Sequence, residues 1–551
     1  MSLLLVANKI SKSFGDQKIF EKLSLNIYSG DRIGITGPNG AGKTTLLKVL
    51  SGQISPDEGS VKIYTPVSYI RQQDDGVPEV DSSPTHFIEN TRLAGILKLN
   101  QQGLHEKMSG GEKAKARFVF SFDPSCGLLI ADEPTSNMDM DSEGIIEKEL
   151  LNYQGALLIV SHDRSILDRL CSTMIEVSNG EIKIYTGNYS DYVRQRDAAH
   201  QRQSFEYESY IKERSRLKNR IAERTENMHS VKKAPSRMGN SEARLHKREV
   251  TAIQKKLNQG IDNLETRLNM LDKKQRPQDL PQVMMRIDPP ENPVSSRIVR
   301  CVDLNIVIQE RLLIKNAAFE ILTGKRTALM GKNGTGKTTL ADLINHGDDR
   351  LTIAPGVQIG YFKQDFSILE EKQTILDNVM AGSIKPQHEA RGILARLLIS
   401  GDDVNKRVSC ISGGEKVKVS IAKILVSKAN FIILDEPTNY LDVFSMEALE
   451  KVLCDYTGTL LLISHDRKFI ENIAERLLIL ENDAIKTFEG CLAEYEESLK
   501  EVSKPLNKAN SLDAAILQMK LAELSSKIYS CPDEKKKLEL EAQYQALLSK
   551  S

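Results

Sequence analysis

The chain has 551 residues, more than one ordinary domain holds, so two large domains with additions are expected. Hydrophobic residues make up 40% and charged residues 27%, ordinary globular usage, and Lys plus Arg equals Asp plus Glu at 75 each, so bulk charge argues against a nucleic-acid or membrane partner. No apolar run approaches the roughly 18 residues that span a bilayer, and seven scattered cysteines without a C-x-x-C pair argue against zinc, an iron–sulfur cluster or a disulfide framework, fitting reduced thiols in a cytoplasmic protein.

In chain order, MSLLLVANKISKSFGDQ has a short apolar run but neither a basic n-region nor a small-residue cleavage site, and reads as a first strand. GPNGAGKTT follows at Gly37 to Thr45, then a helix-like run, SGGEK at Ser109, the apolar strand LLIADE, and a strand ending in SHD. All of these return. GKNGTGKTT spans Gly331 to Thr339, while Ser109, Glu133 and His162 recur 303 positions later as Ser412, Glu436 and His465. The Walker lysines Lys43 and Lys337 are 294 apart, so the second half carries a net insertion between its phosphate loop and its SGGE, most of it after Gln364. This is a duplicated domain rather than a short-period solenoid. Strands alternating with helical stretches predict, in each half, an α/β fold with a largely parallel sheet and its chemistry at the carboxyl ends of the strands.

Residues 194–287 break the pattern with dense charge and little sign of strand. Leu257, Ile261, Leu264, Leu268 and Leu271 step by four and three, as do Tyr210, Arg214, Leu217, Ile221, Arg224 and Met228, which predicts two antiparallel helices hinged near Ala234 to Asn240. From Arg194 to Lys256 there are 17 Lys/Arg against 8 Asp/Glu. Such an excess suits RNA phosphate; a solvated charged coiled coil bridging two domains would carry the same pattern. DPPENPV ends the segment, and further helices are expected over 512–529 and 535–548. The expected domains are 1–193 and 294–490 as the repeated units, 194–293 as a helical hairpin, and 491–551 as a C-terminal helical extension.

The repeated motifs carry chemistry. In G-x-x-x-x-G-K-T the backbone N–H groups, with glycines at Gly37, Gly40 and Gly42 and at Gly331, Gly334 and Gly336, curl around phosphate oxygens, helped by the dipole of the following helix. Asn39, Thr45, Asn333 and Thr339 belong to the same loops. Lys43 and Lys337 would reach the β and γ phosphates, and Thr44 and Thr338 would ligate Mg²⁺. Asp132 and Asp435 would hold the ion through water. Glu133 and Glu436 would polarise the attacking water, and His162 and His465 would contact the γ-phosphate.

With these motifs the chain resembles the ATP-binding-cassette superfamily, and Ser109-Gly110-Gly111-Glu112 and Ser412-Gly413-Gly414-Glu415 look like its signature motif. The resemblance implies a head-to-tail sandwich in which the signature serine of one half caps the γ-phosphate held by the other. It implies Q-loop roles for Gln72 and Gln364, with Gln73 a competitor for the first, and D-loop roles for Asp139 and Asp442. Phe14 lies where the family stacks an aromatic on adenine; the aligned position in the second half is Ile308, so the two sites are expected to be unequal.

Two cassettes, no membrane span and a helical hairpin between them resemble the ABC-F family, whose Glu after the signature glycines stands in both halves. Family likeness implies a monomer whose two halves dimerise internally on two ATP, binding near the ribosomal tRNA exit site with the hairpin reaching toward large-subunit rRNA and P-site tRNA. Lys232, Lys233, Arg237, Met238, Arg244, Lys247 and Arg248 are the candidate ribosome contacts. At the apex, Pro235 and Gly239 either simply turn the chain or set the tip at the drug or nascent-chain site. The long linker, KKAPSRMGNSEARLHK, the short first-half spacing between Lys43 and Ser109 and the C-terminal extension favour the antibiotic-resistance branch, similar to Vga-like proteins. A housekeeping translation factor and the soluble ATPase subunit of a transporter are the alternatives.

Overall fold

The computed structural model describes residues 2–15, 17–72, 91–97, 99, 110–136, 138–178, 180–230, 240–274, 287–289, 293–308 and 311–503. Ser109, Gln73, the hairpin apex with Lys232, Lys233, Arg237 and Met238, and the helices expected after residue 503 lie outside the described residues.

The first half runs β1 (Leu3–Phe14), β2 (Gln17–Tyr28), β3 (Arg32–Thr36), α1 (Lys43–Leu50), β4 (Glu58–Ile63), β5 (Val67–Ile70), α2 (Thr91–Ile96), α3 (Gly110–Ser121), β6 (Leu128–Asp132), α4 (Met140–Asn152), β7 (Ala156–Val160), α5 (Arg164–Leu170), β8 (Thr173–Ser178) and β9 (Glu181–Thr186). Two arms follow, α6 (Tyr189–Ser230) and α7 (Asn240–Met270). The second half repeats the plan with β10 (Arg297–Ile308), β11 (Arg311–Leu322), β12 (Arg326–Gly331), α8 (Lys337–His346), β13 (Leu351–Ile353), β14 (Ile359–Phe362), α9 (Ile375–Met380), α10 (Gln387–Arg396), α11 (Gly413–Leu425), β15 (Phe431–Asp435), α12 (Val443–Cys454), β16 (Thr459–Ile463), α13 (Arg467–Ile473), β17 (Arg476–Glu481) and β18 (Ala484–Glu489), closing on α14 (Leu492–Ser503).

Sheet order bears out the duplication. A six-stranded sheet runs β5-β6-β7-β3-β8-β9 in one half and β14-β15-β16-β12-β17-β18 in the other, parallel except for the last pair. Each is accompanied by a three-stranded antiparallel sheet, β2-β1-β4 or β11-β10-β13. The central strands are continuous apolar runs because helices or the small sheet cover both faces: LLIAD, ALLIV, FIILD and TLLLI are buried at every position. The order places the ends of β6, β7 and β3 side by side, so three loops converge at one edge in each cassette.

Within the linker, ion pairs Glu206–Lys274 and Glu213–Arg267 run in opposite sequence directions and establish antiparallel arms. Leu257, Ile261, Leu264 and Leu268 along α7, and Leu271 just past its end, are half-buried, as the heptad pattern predicts. On α6 the seam differs from expectation. Leu217 is fully buried, but Arg214 and Arg224 are exposed, and Glu213 and Thr225 take the half-buried positions. A guanidinium on a long stem is better solvated outside an apolar seam; Arg224 instead lies across Gly260, where a Cβ would meet its Nη1 at 2.2 Å. Helix α6 is unbroken through residues 193–194. The linker's exit is stitched to the second cassette by Ile287, fully buried, whose N–H donates to the Asp455 carbonyl at 3.2 Å and whose carbonyl accepts from Thr457 at 3.1 Å.

Candidate functional site

Each phosphate-type loop turns into its helix through a glycine in the left-handed region. Gly42 (φ 96°) and Gly336 (φ 101°) are the N-caps of α1 and α8, a conformation costly for any residue with a Cβ. Lys43 Nζ donates to the carbonyls of Gly37 at 2.8 Å and Pro38 at 3.0 Å, and Lys337 Nζ to those of Gly331 at 2.8 Å and Lys332 at 3.0 Å. Both lysines are thus folded over their loops, with Gly40 and Gly334 at the turns (φ 76° and 74°). Thr44 and Thr45 are half-buried in the first turn of α1; Thr338 is exposed and Thr339 half-buried in α8.

Asp132 and Asp435 end β6 and β15, beside those lysines. Both Asp132 oxygens and Asp435 Oδ1 are buried and lack a hydrogen bond of ordinary geometry, although Thr44 and Thr338 stand close enough to favour the charged carboxylates. Burial pushes Asp132 up to about 6 and raises Asp435 as well. A buried carboxylate beside a hydroxyl at a helix start fits a hard divalent cation that draws its remaining ligands from water and phosphate. Among the described residues no group of three His, Cys, Asp or Glu side chains could hold a metal by itself.

Glu133 and Glu436 follow with φ of 50° and 49°, strained for a side-chain-bearing residue by about 1 kcal/mol. Their N–H groups donate to the Val160 and Ile463 carbonyls at 2.9 and 2.8 Å, tying each glutamate to the strand that leads to its histidine. The two environments then diverge. His162 Nε2 is 2.9 Å from Glu133 Oε1; burial penalises that carboxylate, but the His162 hydrogen bond and charge, with Lys43 and Gln72, hold it below its ordinary value. His465 Nε2 is 3.4 Å from Glu436 Oε1 but makes no hydrogen bond to that buried oxygen, and lies 3.2 Å from Lys337 Nζ. Burial first, and then the Lys337 charge, push His465 down to about 4, while burial drives Glu436 up to about 8.

Strand register sets two of the glutamines in equivalent places. Ile70 pairs with Ala131 and Phe362 with Leu434, which puts Gln72 and Gln364 at the same place, two residues past β5 and β14. Phe14 and Ile308 likewise end β1 and β10 in matching hairpins, against Gln17 and Arg311. Phe14 is 53% exposed, presenting its ring to solvent rather than to the core. It has a brace that the sequence did not disclose. Lys12 Nζ lies 5.6 Å from the ring centroid and pairs with Asp57 at 2.6 Å, and Asp57 also accepts from Ser13 N at 2.8 Å.

The halves meet head to tail. Asn39 N donates to Asp442 Oδ2 at 2.8 Å and Asn39 Nδ2 to the Tyr440 carbonyl at 2.9 Å. Gly414, at the start of α11, lies against both, so a Cβ there would meet the Tyr440 carbonyl oxygen at 2.5 Å and Asn39 Nδ2 at 3.5 Å. The second signature motif therefore faces the first phosphate loop. Ser412 caps α11 in a capping box with Glu415, which gives the family's glutamate a structural role, since Ser412 N and Oγ both donate to it, at 2.9 and 2.8 Å. On the other side Gly110 and Gly111 open α3, Asp139 caps α4 by accepting from Ser142, and its charge bears on Lys337 and His465. Asn333 is exposed on that second loop, beside Lys332, which pairs with Asp141 of the first cassette at 2.7 Å. Lys115 pairs with Asp139 at 3.5 Å, and its repeat Lys418, buried, feels the charge of Asp442. These two lysines share the 303-residue offset and were legible in the repeat.

Residues 20–136 and 314–439 match a family profile described as ABC transporter, and residues 175–259 match its extension profile, described likewise. The ATP-binding protein YdiF of Bacillus subtilis is 31% identical over 91% of this chain and 83% of its own. The ribosome protection protein VmlR of the same organism is 28% identical over 99% of this chain and 97% of its own. The chain belongs to the ABC-F family. It is an ATPase of two tandem cassettes. Another ABC-F relative, the erythromycin resistance ATP-binding protein MsrA of Staphylococcus epidermidis, is 29% identical over 84% of this chain and 95% of its own. Among solved structures, an RNase-L inhibitor superposes with a TM-score of 0.59 at 18% identity, over 89% of this chain and 92% of that one, a likeness of fold. No described helix of this ABC-F protein is long and apolar enough to cross a membrane.

Proposed function

We propose that this ABC-F protein is a cytoplasmic, ATP-driven ribosome-protection factor that enters the tRNA exit site and defends the large subunit from antibiotics. The observation that carries the reading is the linker. Its first arm is one unbroken helix of 42 residues, about 60 Å long, rooted in the interface where the cassettes close. It bears a basic excess unlike the neutral chain as a whole, with Arg244, Lys247 and Arg248 on the returning arm α7. A soluble transporter subunit has no use for such an arm. Relatives named for ribosome protection and erythromycin resistance support the same reading.

In this proposal residues 1–193 and 294–490 act as the two cassettes, 194–293 as the reaching hairpin and 491–551 as the extension. The protein works as a monomer on two ATP, and the hairpin meets large-subunit rRNA and P-site tRNA. Lys43 and Lys337 hold phosphates, and Phe14 stacks on the adenine of the first nucleotide. Gln72 and Gln364 sense the γ-phosphate, and Ser109 and Ser412 cap it from the opposite half. Glu133 and Glu436 orient the attacking water, with His162 and His465 beside them. Thr44 with Asp132, and Thr338 with Asp435, would hold Mg²⁺, which supplies charge neutralisation at the phosphates. The test combines ribosome co-sedimentation in non-hydrolysable ATP, membrane fractionation and a drug-susceptibility panel on expressing cells. ATP-dependent pelleting with ribosomes and a raised inhibitory concentration for large-subunit drugs are expected. Pelleting without any resistance would assign a housekeeping translation role instead.

A further inference from the structure

Helix α12 is joined to the rest of the molecule at three successive turns. Its N-cap, Asp442, accepts from Ser445 N at 2.7 Å and from Asn39 N of the first phosphate loop at 2.8 Å. Two residues on, the Phe444 ring lies 5.3 Å from the Arg196 guanidinium of linker arm α6, which also stands 5.6 Å from the Tyr192 ring. One turn further, Glu447 accepts from Arg196 Nη2 and from the Tyr189 hydroxyl, each at 3.0 Å. At the next turn buried Glu450 accepts from Arg164 Nη1 and Nη2, one to each carboxylate oxygen, and from Asn472 Nδ2 at 3.0 Å. Arg164 directly follows His162-Asp163 of the first cassette. Burial works against its charge, and the Glu450 hydrogen bond and charge outweigh that and hold it above its ordinary value. Spacings of three keep Phe444, Glu447 and Glu450 on one face of the helix.

The repeat supplies an internal control. In α4 of the first cassette the corresponding positions are Asp141, Gly144 and Glu147, and the counterparts of Tyr189 and Arg196 on α14 are Leu492 and Leu499. Gly144 has no carboxylate to offer and neither leucine could use one. Asp141 turns instead to Lys332 in solvent, with side chains 62% and 65% exposed, and Glu147 pairs with Arg169 of its own cassette at 2.9 Å. Among the described residues no ion pair ties α4 to α14 as Glu447 ties α12 to α6.

We propose that α12 is a one-sided coupling element, with Glu447 the positioning residue through which the ATP site at Lys43 sets the position of linker arm α6. A helix moves as a rigid body, so a cassette rotation that separates Asp442 from Asn39 carries Phe444 and Glu447 with it. Arg196, with 20% of its side chain exposed, also pairs with Asp197 at 3.1 Å, whereas Glu447, with 14% exposed, is buried enough that its charge is not readily left alone. The site at Lys337 has no such tie, and its closure leaves the arm where it is. The proposal rests on the ATPase reading and not on any ribosome.

The experiment uses the full chain, without ribosomes, carrying spectroscopic labels at exposed Glu208 on α6 and Asp349 in the second cassette, and in a second sample at Lys62 and Asp349 to follow cassette closure. With a non-hydrolysable ATP analogue and Mg²⁺, both distance distributions are expected to sharpen in the otherwise native protein. In Glu447→Gln or Arg196→Gln the closure pair should still sharpen, while the α6 pair stays broad. The exchange Glu447→Arg with Arg196→Glu should restore it, and Lys332→Ala should leave the α6 pair as in the parent. Glu447→Gln keeps size and polarity, so its closure response also checks folding. A normal α6 response in both single variants, no restoration by the exchange, or no closure response in the parent would each overturn the coupling.

Discussion

Asp442 and Asn39 stand 403 residues apart in the chain and are joined by a 2.8 Å hydrogen bond from the Asn39 N–H to the carboxylate. The same carboxylate caps α12 through Ser445. One side chain therefore closes the cassette interface and starts a helix. Asp442→Ala should cost about 1 kcal/mol of stability for the lost cap. Turnover should fall further than that loss of folded protein explains, because the first phosphate loop loses its opposite-half partner. Thermal melts alongside steady-state ATPase assays check this; a turnover loss no larger than the folded fraction predicts would reduce Asp442 to a cap.

Hydrolysis itself should depend on the paired glutamates. Replacing both Glu133 and Glu436 with Gln preserves shape and hydrogen bonding and removes the carboxylates. ATP should still bind while turnover falls by at least ~10²-fold, the usual size for loss of a catalytic group. Phosphate release and nucleotide retention measured on the same preparation decide it, and parental turnover in the double variant would end the assignment.

The two sites should bind adenine unequally. Phe14 is exposed and braced by Lys12, whereas the second cassette has Ile308 at that place. Phe14→Ala should weaken nucleotide binding at the Lys43 site, and Asp57→Ala, which frees Lys12 and Ser13, should weaken it less and in the same direction. Ile308→Ala should change little. Site-resolved titration with a fluorescent nucleotide reads all three, and equal losses from Phe14→Ala and Ile308→Ala would refute the asymmetry.

The hairpin should separate affinity from consequence. Neutralising Arg244, Lys247 and Arg248 should weaken ribosome binding and flatten its salt dependence by roughly one unit of log–log slope per lost phosphate contact. Deleting residues 234–240, which include Arg237 and Met238, should leave ATP turnover and most ribosome binding intact and abolish drug protection. Resistance and co-sedimentation are measured on one truncated protein; full resistance without the apex would make it only a turn.

Much of this protein is legible in its sequence because its motifs are local and repeated. A glycine-rich loop before a helix, an apolar strand ending in acid and a strand ending in SHD each specify their own backbone, and their collinear return fixes two α/β cassettes and the order of events in each. The heptad steps located both linker arms, and spacing alone could find Lys115 and Lys418. Where the seam fell on α6 was a different matter: Arg214 and Arg224 fit the period, but only packing against α7 decided that Glu213 and Thr225 would face inward and the guanidinium groups outward. The Lys12–Asp57 brace of Phe14 and the grip of Glu447 and Glu450 on Arg196 and Arg164 join residues with no motif between them, and although Asn39 and Asp442 each sit in a motif, neither motif names the other residue as its hydrogen-bond partner. Nothing local marks such partners, since an ion pair is specified by distance in space. The difference between the two sites is of the same kind. Glu133 and Glu436 sit in one motif at one backbone conformation, yet the first, with His162 Nε2 at 2.9 Å and Lys43 and Gln72 beside it, is held below its ordinary value, while burial raises the second, whose Oε1 lacks a hydrogen bond.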